Sequence, residues 1–327
     1  MIGKYIYFDS GTTNTRIYYI EERVMKAVQS RKIGTIDNVA SGDRHTLLRG
    51  LKDMYDRLLR ELALSDADID GIYMSGMATS QNGVHEVGYL RVPVGLAEYR
   101  NAVSFWRTPL FERQVGFLTG LVYRPDMTKG TLQNAAEFNN VRGEEIELLG
   151  IMETYSPFFA GKKTAVIMPG SHTHILYTED QKIVEITSCM GGEMFAAMAV
   201  NTILSASVTA APDVIVEQGL ISGFDMVRKY GINRALYITR TLDLFTDESL
   251  QTRNSYLEGV INEGIITALQ SSRRFGDLDC IAVAGSPIYF QIYAPLLSHA
   301  GVTVPCIRIE QNKNDSFALQ GFLQFIK

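Results

Sequence analysis

The sequence predicts an α/β protein made of two similar domains. Its 327 residues exceed what one hydrophobic core usually organises, because single cores tend to divide beyond roughly 250 to 300 residues. The first third of the chain has the pattern of three strands, a helix and a buried strand. A second run of three strands begins at Thr164 and is again followed by a helix. We therefore expect a first domain at 1–162, a second at 163–311 and a closing helix at 312–327 that packs back on the first domain.

Composition and charge limit the classes of function. Hydrophobic residues make up 46% of the chain and charged residues 20%, which is typical of a globular protein. The formal charge is −5 and no long run of Lys or Arg occurs, so we expect neither a nucleic-acid nor a membrane partner. The three cysteines lack the spacing of metal ligands, which indicates reduced thiols in a cytoplasmic protein. A leader peptide is not expected, because the N-terminus runs directly into the first predicted strand. A membrane span is not expected, because no apolar stretch approaches ~20 residues.

The first two predicted strands form a hairpin over 4–19 whose turn carries polar groups. β-branched and aromatic residues flank this turn on both sides, as is common in hairpin strands. Gly11 lets the backbone approach a ligand, and the amides and hydroxyls of Thr12 and Thr13 are suited to phosphate oxygens. Asp9, at the end of the first strand, is suited to a hydrated Mg²⁺ ion. The pattern indicates either a phosphate and Mg²⁺ site or an ordinary tight hairpin with polar turn residues.

Two more polar segments belong to the predicted first domain. A loop at 74–83 is rich in Ser, Thr, Asn and Gly, so its residues either face a ligand or merely reverse the chain. A helix is predicted over 139–150, with acidic residues in its first turn and a glycine at its end. Arg142 beside Glu144 and Glu145 either faces a ligand or belongs to a helix entry that the acids stabilise. Both segments leave a functional and a structural interpretation open.

The predicted second domain repeats the hairpin and adds two glycine turns. Its hairpin turn is Pro169-Gly170-Ser171-His172-Thr173, and the helix that starts at Gly192 has an N-terminus suited to an anion. A strand at 280–284 leads into Gly285-Ser286-Pro287 before a helix that extends to about His299, a turn that can seat adenosine or its α-phosphate. Any α/β unit has such a turn, so the turn alone is not specific. Other predicted elements are a helix at 249–273, a strand at 302–307 and a helix at 314–325.

These segments, in this order, resemble the 2-dehydro-3-deoxygalactonokinase family, a sugar kinase branch of the superfamily that includes Hsp70 and actin. The resemblance spans nearly the whole chain, and its more specific parts are Arg-Gly-Glu-Glu and Pro-Gly-x-His followed by Met-x-Gly-Glu. The matching residues are Asp9, Gly11, Thr13, Asn14, Met74, Gly76, Met77, Ser80, Arg142, Gly143, Glu144, Glu145, Leu149, Gly150, Pro169, Gly170, His172, Met190, Gly192, Glu193, Ala284, Gly285, Ser316 and Phe317. The departures are Ser10, Val141, His174, Ile175 and Gly191, where the family usually has other residues.

The resemblance implies a fold and an activity. The fold would be two ribonuclease H-like domains, the actin-like ATPase fold, around an interdomain cleft. The activity would be ATP- and Mg²⁺-dependent transfer of the γ-phosphoryl group to the terminal hydroxyl of a 2-keto-3-deoxy sugar acid. A sugar-acid- or nucleotide-binding regulatory protein on the same fold is the alternative, because fold alone does not determine function. A chaperone or actin-like ATPase is disfavoured by the length of the chain.

The resemblance also implies roles for individual residues. The expected catalytic residues are Asp9, Arg142, Glu144 and His172, with Asp9 as the residue that holds the metal. The expected nucleotide-binding residues are Gly11, Thr12, Thr13, Asn14, Gly170, Ser171, Gly192, Gly285 and Ser286. The expected substrate-binding residues are Met77, Ser80, Arg142, Glu145 and Glu193.

The general base has two candidates, Glu144 and His172. A carboxylate beside an arginine is a weak base, whereas an imidazole titrates near neutral pH. The second hairpin also suits a neutral imidazole that donates to phosphate, and a loose phosphoryl transition state needs little help from a base. We therefore expect Glu144 to orient the hydroxyl and His172 to contact phosphate. A homodimer is expected only as the commonest outcome for soluble proteins.

Overall fold

The computed structural model describes residues 3–124, 129–311 and 316–326. The described chain divides into two compact units. The first comprises the described residues of Met1–Phe158, Gln181–Val184 and Asn312–Lys327, and the second comprises Phe159–Asp180 and Glu185–Gln311. The domain boundary predicted after residue 162 stays a prediction. The start predicted for the closing helix, at residue 314, lies outside the described residues.

The main sheet of the first unit has six strands in the order β3-β2-β1-β4-β7-β6. Strand β1 lies at its centre, antiparallel to β2 and parallel to β4, and its apolar side chains are buried. A second sheet has three short strands in the order β5-β8-β9. The strands of the unit are β1 (Lys4–Ser10), β2 (Thr15–Glu21), β3 (Val24–Arg31), β4 (Gly71–Gly76), β5 (Leu90–Arg91), β6 (Ser104–Arg107), β7 (Gln114–Phe117), β8 (Leu121–Tyr123) and β9 (Asn139–Val141).

The helices of the first unit cover this sheet with apolar faces. The longest, α2, buries leucines that recur at helical spacing against the strand side chains of one core. The helices are α1 (Thr35–Ser41), α2 (Thr46–Glu61), α3 (Leu96–Asn101), α4 (Glu144–Thr154) and α11 (Phe317–Phe325), and the short α5 (Ser156–Phe159) lies at the end of the unit.

The helix predicted over 139–150 was wrong at both ends. Residues Asn139–Val141 form strand β9, and helix α4 begins at Glu144 and continues to Thr154. Gly150 therefore lies inside α4 rather than at its end. A Cβ atom at Gly150 would lie 2.0 Å from the Phe317 carbonyl oxygen, so this glycine is where α11 crosses α4 with backbone against backbone.

The sheet of the second unit repeats the arrangement of the first. Its order is β12-β11-β10-β13-β14, with β10 antiparallel to β11 and parallel to β13. The strands are β10 (Thr164–Pro169), β11 (His172–Glu179), β12 (Lys182–Met190), β13 (Cys280–Ala284) and β14 (Cys306–Ile309). The last strand thus starts later than the predicted 302. An antiparallel meander followed by parallel strands in both sheets is the ribonuclease H-like pattern, so the predicted α/β fold class is confirmed.

Five helices complete the second unit. The long helix predicted at 249–273 is confirmed as α9, whereas α7 and α8 lie in a stretch without a prediction. Gly259 of α9 and Gly223 of α7 lie at the crossing of these helices, where added Cβ atoms would meet backbone carbonyl oxygens at 1.9 and 2.0 Å. The helices are α6 (Gly192–Asn201), α7 (Glu217–Tyr230), α8 (Ile232–Phe245), α9 (Leu250–Ser271) and α10 (Pro287–His299). Among the described residues, no helix is long and apolar enough to cross a membrane.

Candidate active site

In the first unit, the turn of the first hairpin is exposed and closed by short contacts. The Gly11 amide donates to the Asn14 carbonyl at 2.8 Å, and the Asn14 side-chain amide donates to the Thr13 hydroxyl at 3.0 Å. The side chains of Thr12, Thr13 and Asn14 are exposed. The start of α1 packs on the other side of the turn, because the Ile36 amide donates to the Thr12 carbonyl at 3.0 Å. The predicted phosphate-binding residues therefore form one ordered, accessible turn.

Asp9 lies at the end of β1, beside this turn. Its carboxylate is 18% exposed and lies 3.7 Å from the Arg16 guanidinium. Burial raises the pKa of Asp9, Arg16 acts in the opposite direction, and the Glu144 carboxylate raises it further. Asp9 and Glu144 are thus close enough for their charges to interact, as expected for two carboxylates of one site.

Three segments that the sequence analysis treated separately meet beside Asp9. Gly76 has a φ of +68°, and a Cβ atom there would lie 2.4 Å from the Ser10 carbonyl oxygen. Gly143 has a φ of +119°, and a Cβ atom there would lie 3.5 Å from the Gly76 Cα atom. Only residues without a side chain fit this approach in these conformations. The first hairpin, the loop at 74–83 and the start of α4 are therefore brought together within the first unit.

The acidic start of α4 places its carboxylates in different surroundings. Glu145 is fully buried and accepts from the Gly143 amide at 2.7 Å and from the Tyr99 hydroxyl at 3.3 Å. Burial, followed by the Glu144 charge, raises the pKa of Glu145 to about 7. These contacts give Glu145 a structural role in the core, and the substrate role predicted for it stays a prediction.

Glu147 is a candidate that the sequence analysis missed. Burial, then the charges of Asp9 and Glu144, raise its pKa to about 8. Glu144 and Glu147 are three residues apart on one helix, a spacing that puts both side chains on the same face. That spacing was visible in the sequence. The side of α4 that faces Asp9 depends on packing, and therefore the sequence did not single out Glu147.

Arg142 is held by residues in and just after the loop at 74–83. Its Nη1 atom donates to the Thr79 carbonyl at 2.8 Å and to the Thr79 hydroxyl at 2.5 Å, and its Nη2 atom donates to the Val87 carbonyl at 2.8 Å. The guanidinium lies over the Tyr89 ring, 4.3 Å from its centre. Its buried Nε atom has no acceptor among the described residues. Arg142 thus braces the loop to the start of α4, and its predicted contact with a substrate carboxylate stays a prediction.

The two residues predicted to bind substrate from this loop, Met77 and Ser80, are both partly exposed. The Ser80 hydroxyl donates to the Met77 carbonyl at 2.8 Å. Met77 directly follows Gly76, which pairs with Ser10 across strands β4 and β1, and Ser80 lies three residues beyond Met77. The substrate contact predicted for both residues stays a prediction.

In the second unit, the turn of the second hairpin is tied to the start of α6. The Gly192 amide donates to the Gly170 carbonyl at 3.0 Å, and the Glu193 amide donates to the Ser171 carbonyl at 2.8 Å. The side chains of His172 and Glu193 are both more than half exposed, with Nε2 of the imidazole 3.1 Å from the carboxylate. Two amides of the predicted anion site are thus already used by protein carbonyls.

A cavity of about 270 Å³ lies beside this turn, within the second unit. Apolar and aromatic side chains form most of its wall, together with one carboxylate and one amide. Its lining residues are Pro169, Gly170, Thr173, Gly191, Gly192, Phe195, Ala210, Ala211, Pro212, Glu258, Asn262, Ile288, Tyr289, Ile292 and Tyr293. The predicted turn Gly285-Ser286 leads directly into the α10 residues of this wall, and Gly285 has a φ of +108°. The predicted nucleotide-binding glycines of the second unit therefore lie on or next to one cavity.

The sequence as a whole matches the family described as 2-keto-3-deoxy-galactonokinase over residues 9–322. The chain belongs to this family. It is also 26% identical over 320 residues to a Rhizobium meliloti (strain 1021) protein named probable 2-dehydro-3-deoxygalactonokinase DgoK1, with 94% of each chain covered. A crystal structure from Sinorhizobium meliloti, assigned to a 2-dehydro-3-deoxygalactonokinase, has a TM-score of 0.73 at 24% identity, covering 98% of this chain and 97% of the other.

Membership of this family identifies the chain as a sugar-acid kinase, a phosphotransferase that uses ATP and has an alcohol group as acceptor. The predicted family and activity are confirmed, and the alternative of a regulatory binding protein has no support. Two departures from the family pattern have structural roles. The buried Ser10 hydroxyl bonds to the Thr15 hydroxyl at 3.1 Å, and Nδ1 of the buried His174 lies 3.0 Å from the Ser188 hydroxyl.

Proposed function

We propose that this kinase acts in the cytoplasm and transfers the γ-phosphoryl group of Mg²⁺-bound ATP to the terminal hydroxyl of a 2-keto-3-deoxy sugar acid. The observation that carries the proposal is the meeting of three segments beside Asp9 in the first unit. Glycines at positions 76 and 143 allow that meeting, and it gathers Asp9, Glu144 and Glu147. Phosphoryl transfer depends on charge neutralisation and positioning, and this arrangement provides groups for both.

The carboxylates beside Asp9 fit a Mg²⁺ ion. No group of three or more potential ligands in described residues forms a complete protein cage for a metal. Mg²⁺ in kinases usually has one or two carboxylates, with water and substrate phosphates completing its shell, so an incomplete protein set is the expected one. Asp9 would hold the ion, and a bound ion would neutralise charge on the transferring phosphoryl group. A cation there would also favour the ionised forms of Asp9 and Glu147, whose pKa values are raised.

Glu144 is the residue that we propose orients the acceptor hydroxyl. It lies in the first turn of α4 and is partly exposed, whereas Glu145 next to it is fully buried. It also interacts electrostatically with Asp9, so a hydroxyl that it accepts from would lie near the metal site. The acceptor hydroxyl need not lose its proton before a loose transition state is reached. Orienting that hydroxyl is therefore the larger contribution of Glu144 to the rate.

His172 is the residue that we propose contacts phosphate. Its Nε2 atom faces the Glu193 carboxylate, which suits an imidazole that donates there. The other nitrogen, Nδ1, can then donate to a phosphate oxygen only when the ring is in its charged form. With Nε2 donating to Glu193 and Nδ1 donating to phosphate, the imidazole would join the carboxylate and the phosphate through two hydrogen bonds.

We propose that Arg142 positions the loop that binds the sugar acid and also binds the carboxylate of that substrate. Its hydrogen bonds to the Thr79 and Val87 carbonyls hold the loop that carries Met77 and Ser80. We propose that these two partly exposed residues contact the sugar. The Nε atom and the second hydrogen of Nη2 are the donors that remain for a substrate carboxylate. A small movement of the loop would expose them on binding.

An ADP-release assay tests the proposal. We expect release with Mg²⁺, ATP and 2-keto-3-deoxy sugar acids, and not with neutral hexoses. Asp9→Asn should lower turnover by about 100-fold or more without loss of thermal stability, because it removes a charged metal ligand whose burial is unfavourable. Asp53→Asn, at a carboxylate 73% exposed on the same unit, is the matched control and should keep full activity. Near-normal turnover of Asp9→Asn at saturating Mg²⁺ and ATP, or a preference for glucose, would overturn the proposal.

A further inference from the structure

The cavity in the second unit contains a carboxyl and amide pair that has no role in the proposed phosphoryl transfer. Glu258 and Asn262 lie four residues apart on α9 and both line the cavity. The Asn262 side-chain amide donates to the Glu258 carboxylate at 2.9 Å and to the Glu258 carbonyl at 2.8 Å. A carboxyl group is unusual in a wall that is otherwise mostly apolar, because its burial costs free energy unless hydrogen-bond donors or a cation compensate.

The pair has unused acceptors. Among the described residues, none donates to the second carboxylate oxygen of Glu258 or to the side-chain oxygen of Asn262. Burial raises the pKa of Glu258 to about 7, and the hydrogen bond from Asn262 acts in the opposite direction. A ligand that fits this part of the cavity must therefore present hydrogen-bond donors.

Glu258 lies near tyrosine side chains that contact the two turns predicted to bind the nucleotide. Its charge affects both Tyr289 and Tyr293, raising the pKa of each hydroxyl together with burial. The Tyr293 hydroxyl lies 3.5 Å from the Thr173 hydroxyl of the second hairpin, and the Tyr289 ring packs beside Gly285. Glu258 is thus close to side chains that reach both turns predicted to bind the nucleotide.

We infer that Glu258, with Asn262 beside it, accepts hydrogen bonds from the ribose hydroxyls of the nucleotide. The ribose lies between phosphate and base in any nucleotide, and it presents two neighbouring hydroxyl donors that match a carboxylate. The base would then lie against the apolar wall that Phe195 and Ile288 help to form. This inference rests on the proposed function, and it makes the chain selective for ribonucleoside over deoxyribonucleoside triphosphates.

Nucleotide analogues test the inference with the full chain. The parent should use ATP with a kcat/KM about 10- to 100-fold above that of 2′-deoxy-ATP or 3′-deoxy-ATP, as expected for loss of a hydrogen bond to a charged group. Glu258→Gln keeps an acceptor for the Asn262 amide and should reduce this ratio to near unity. Most of the loss should fall on ATP, with the efficiency for the deoxy analogues little changed.

The matched control is Glu263→Gln on the same helix. Glu263 pairs with Arg228 at 3.4 Å and does not line the cavity, so this variant should keep the parent's ratio. An unchanged ratio in Glu258→Gln, or an equal loss with ATP and both deoxy analogues, would overturn the inference. The inference would also be overturned if Glu258→Gln kept the parent's ribose preference but changed its preference for ATP over GTP, because Glu258 would then contact the base.

A binding measurement separates this inference from the proposed kinase reaction. Calorimetric titration of ADP and 2′-deoxy-ADP needs no acceptor sugar, so it reports ribose recognition even if no sugar acid is phosphorylated. We expect the parent to bind ADP about 10-fold or more tightly than 2′-deoxy-ADP and Glu258→Gln to bind both alike. Equal binding of the two by the parent would refute ribose recognition, whereas absent turnover with selective binding would refute only the kinase proposal.

Discussion

The crossing of α7 and α9 allows a sharp test of how the second unit is held together. A Cβ atom added at Gly259 would lie 1.9 Å from the Leu220 carbonyl oxygen and 2.9 Å from the Phe224 amide nitrogen. Both are backbone atoms of α7, so no side-chain rotation can relieve the overlap. Gly264 lies five positions further along α9, where an added Cβ would meet nothing within 4 Å. The two glycines differ only in what faces them.

The magnitudes follow from two opposing effects. Alanine is better than glycine in a helix interior by about 1 kcal/mol, and both variants receive this gain. Gly259→Ala must also move α7 and α9 apart by about 1 Å or more, and overpacking of this kind costs about 1 to 3 kcal/mol. Because the opposing atoms belong to the backbone, we expect the upper end. Gly259→Ala should lose about 2 kcal/mol relative to the parent and Gly264→Ala should gain about 0.5 to 1 kcal/mol.

Urea-induced unfolding followed by circular dichroism measures these free energies. Hydrogen exchange of the amides of α7 and α9 shows whether the change is local to the crossing, where Gly259→Ala should lose protection. Gly264→Ala should keep or increase protection in the same segments. If Gly259→Ala is as stable as Gly264→Ala, the helices are not in backbone contact and the packing described for them is refuted.

Three further predictions concern the candidate site residues. Arg142→Lys should raise the KM for the sugar acid about 10-fold or more, with little change for ATP, because lysine cannot form a planar fork on a carboxylate; unchanged constants for both substrates would exclude the contact. The parent should lose stability as the pH rises from about 4.5 to about 8, because Glu147 ionises near 4.5 when unfolded and near 8 when folded. In chemical denaturation, the advantage of Glu147→Gln over the parent should therefore grow from near zero at about pH 4.5 to at least about 2 kcal/mol at about pH 8. The exposed control Glu153→Gln should show no such growth with pH. His172→Gln should lower turnover about 10-fold, since it removes the imidazole beside Glu193 that would donate to phosphate; loss of an acidic limb of the pH profile together with a large rate loss would instead make His172 the general base.

Local sequence patterns were sufficient to predict the strands and helices that occur in both units. Strands β1 and β10 are runs of β-branched and aromatic or aliphatic residues, and each is followed by a polar turn and a return strand. The α9 helix follows from apolar residues at helical spacing over 22 residues. Strand and helix periods are properties of neighbouring residues, so they can be read without knowing what the element packs against.

The order of short motifs along the sequence was also sufficient to predict the family and its activity. Asp9, the Arg-Gly-Glu-Glu segment and the second hairpin all lie within the family match over 9–322. The chemistry of each motif is carried by residue type, since a carboxylate, a glycine turn or a guanidinium has the same preferences wherever it occurs. The roles assigned to these residues remain predictions.

Only the tertiary structure decided what faces each of these side chains. The glycine at position 150 fits a helix end as well as a helix crossing, and the approach of α11 is what makes it a crossing. Glu145 and Glu147 are alike in sequence, yet one is buried under the Tyr99 hydroxyl and the other interacts with Asp9. The unused acceptors of Glu258 likewise follow from the packing of α9 on its neighbours. Such distinctions depend on contacts between residues far apart in the chain, and local periodicity does not encode those contacts.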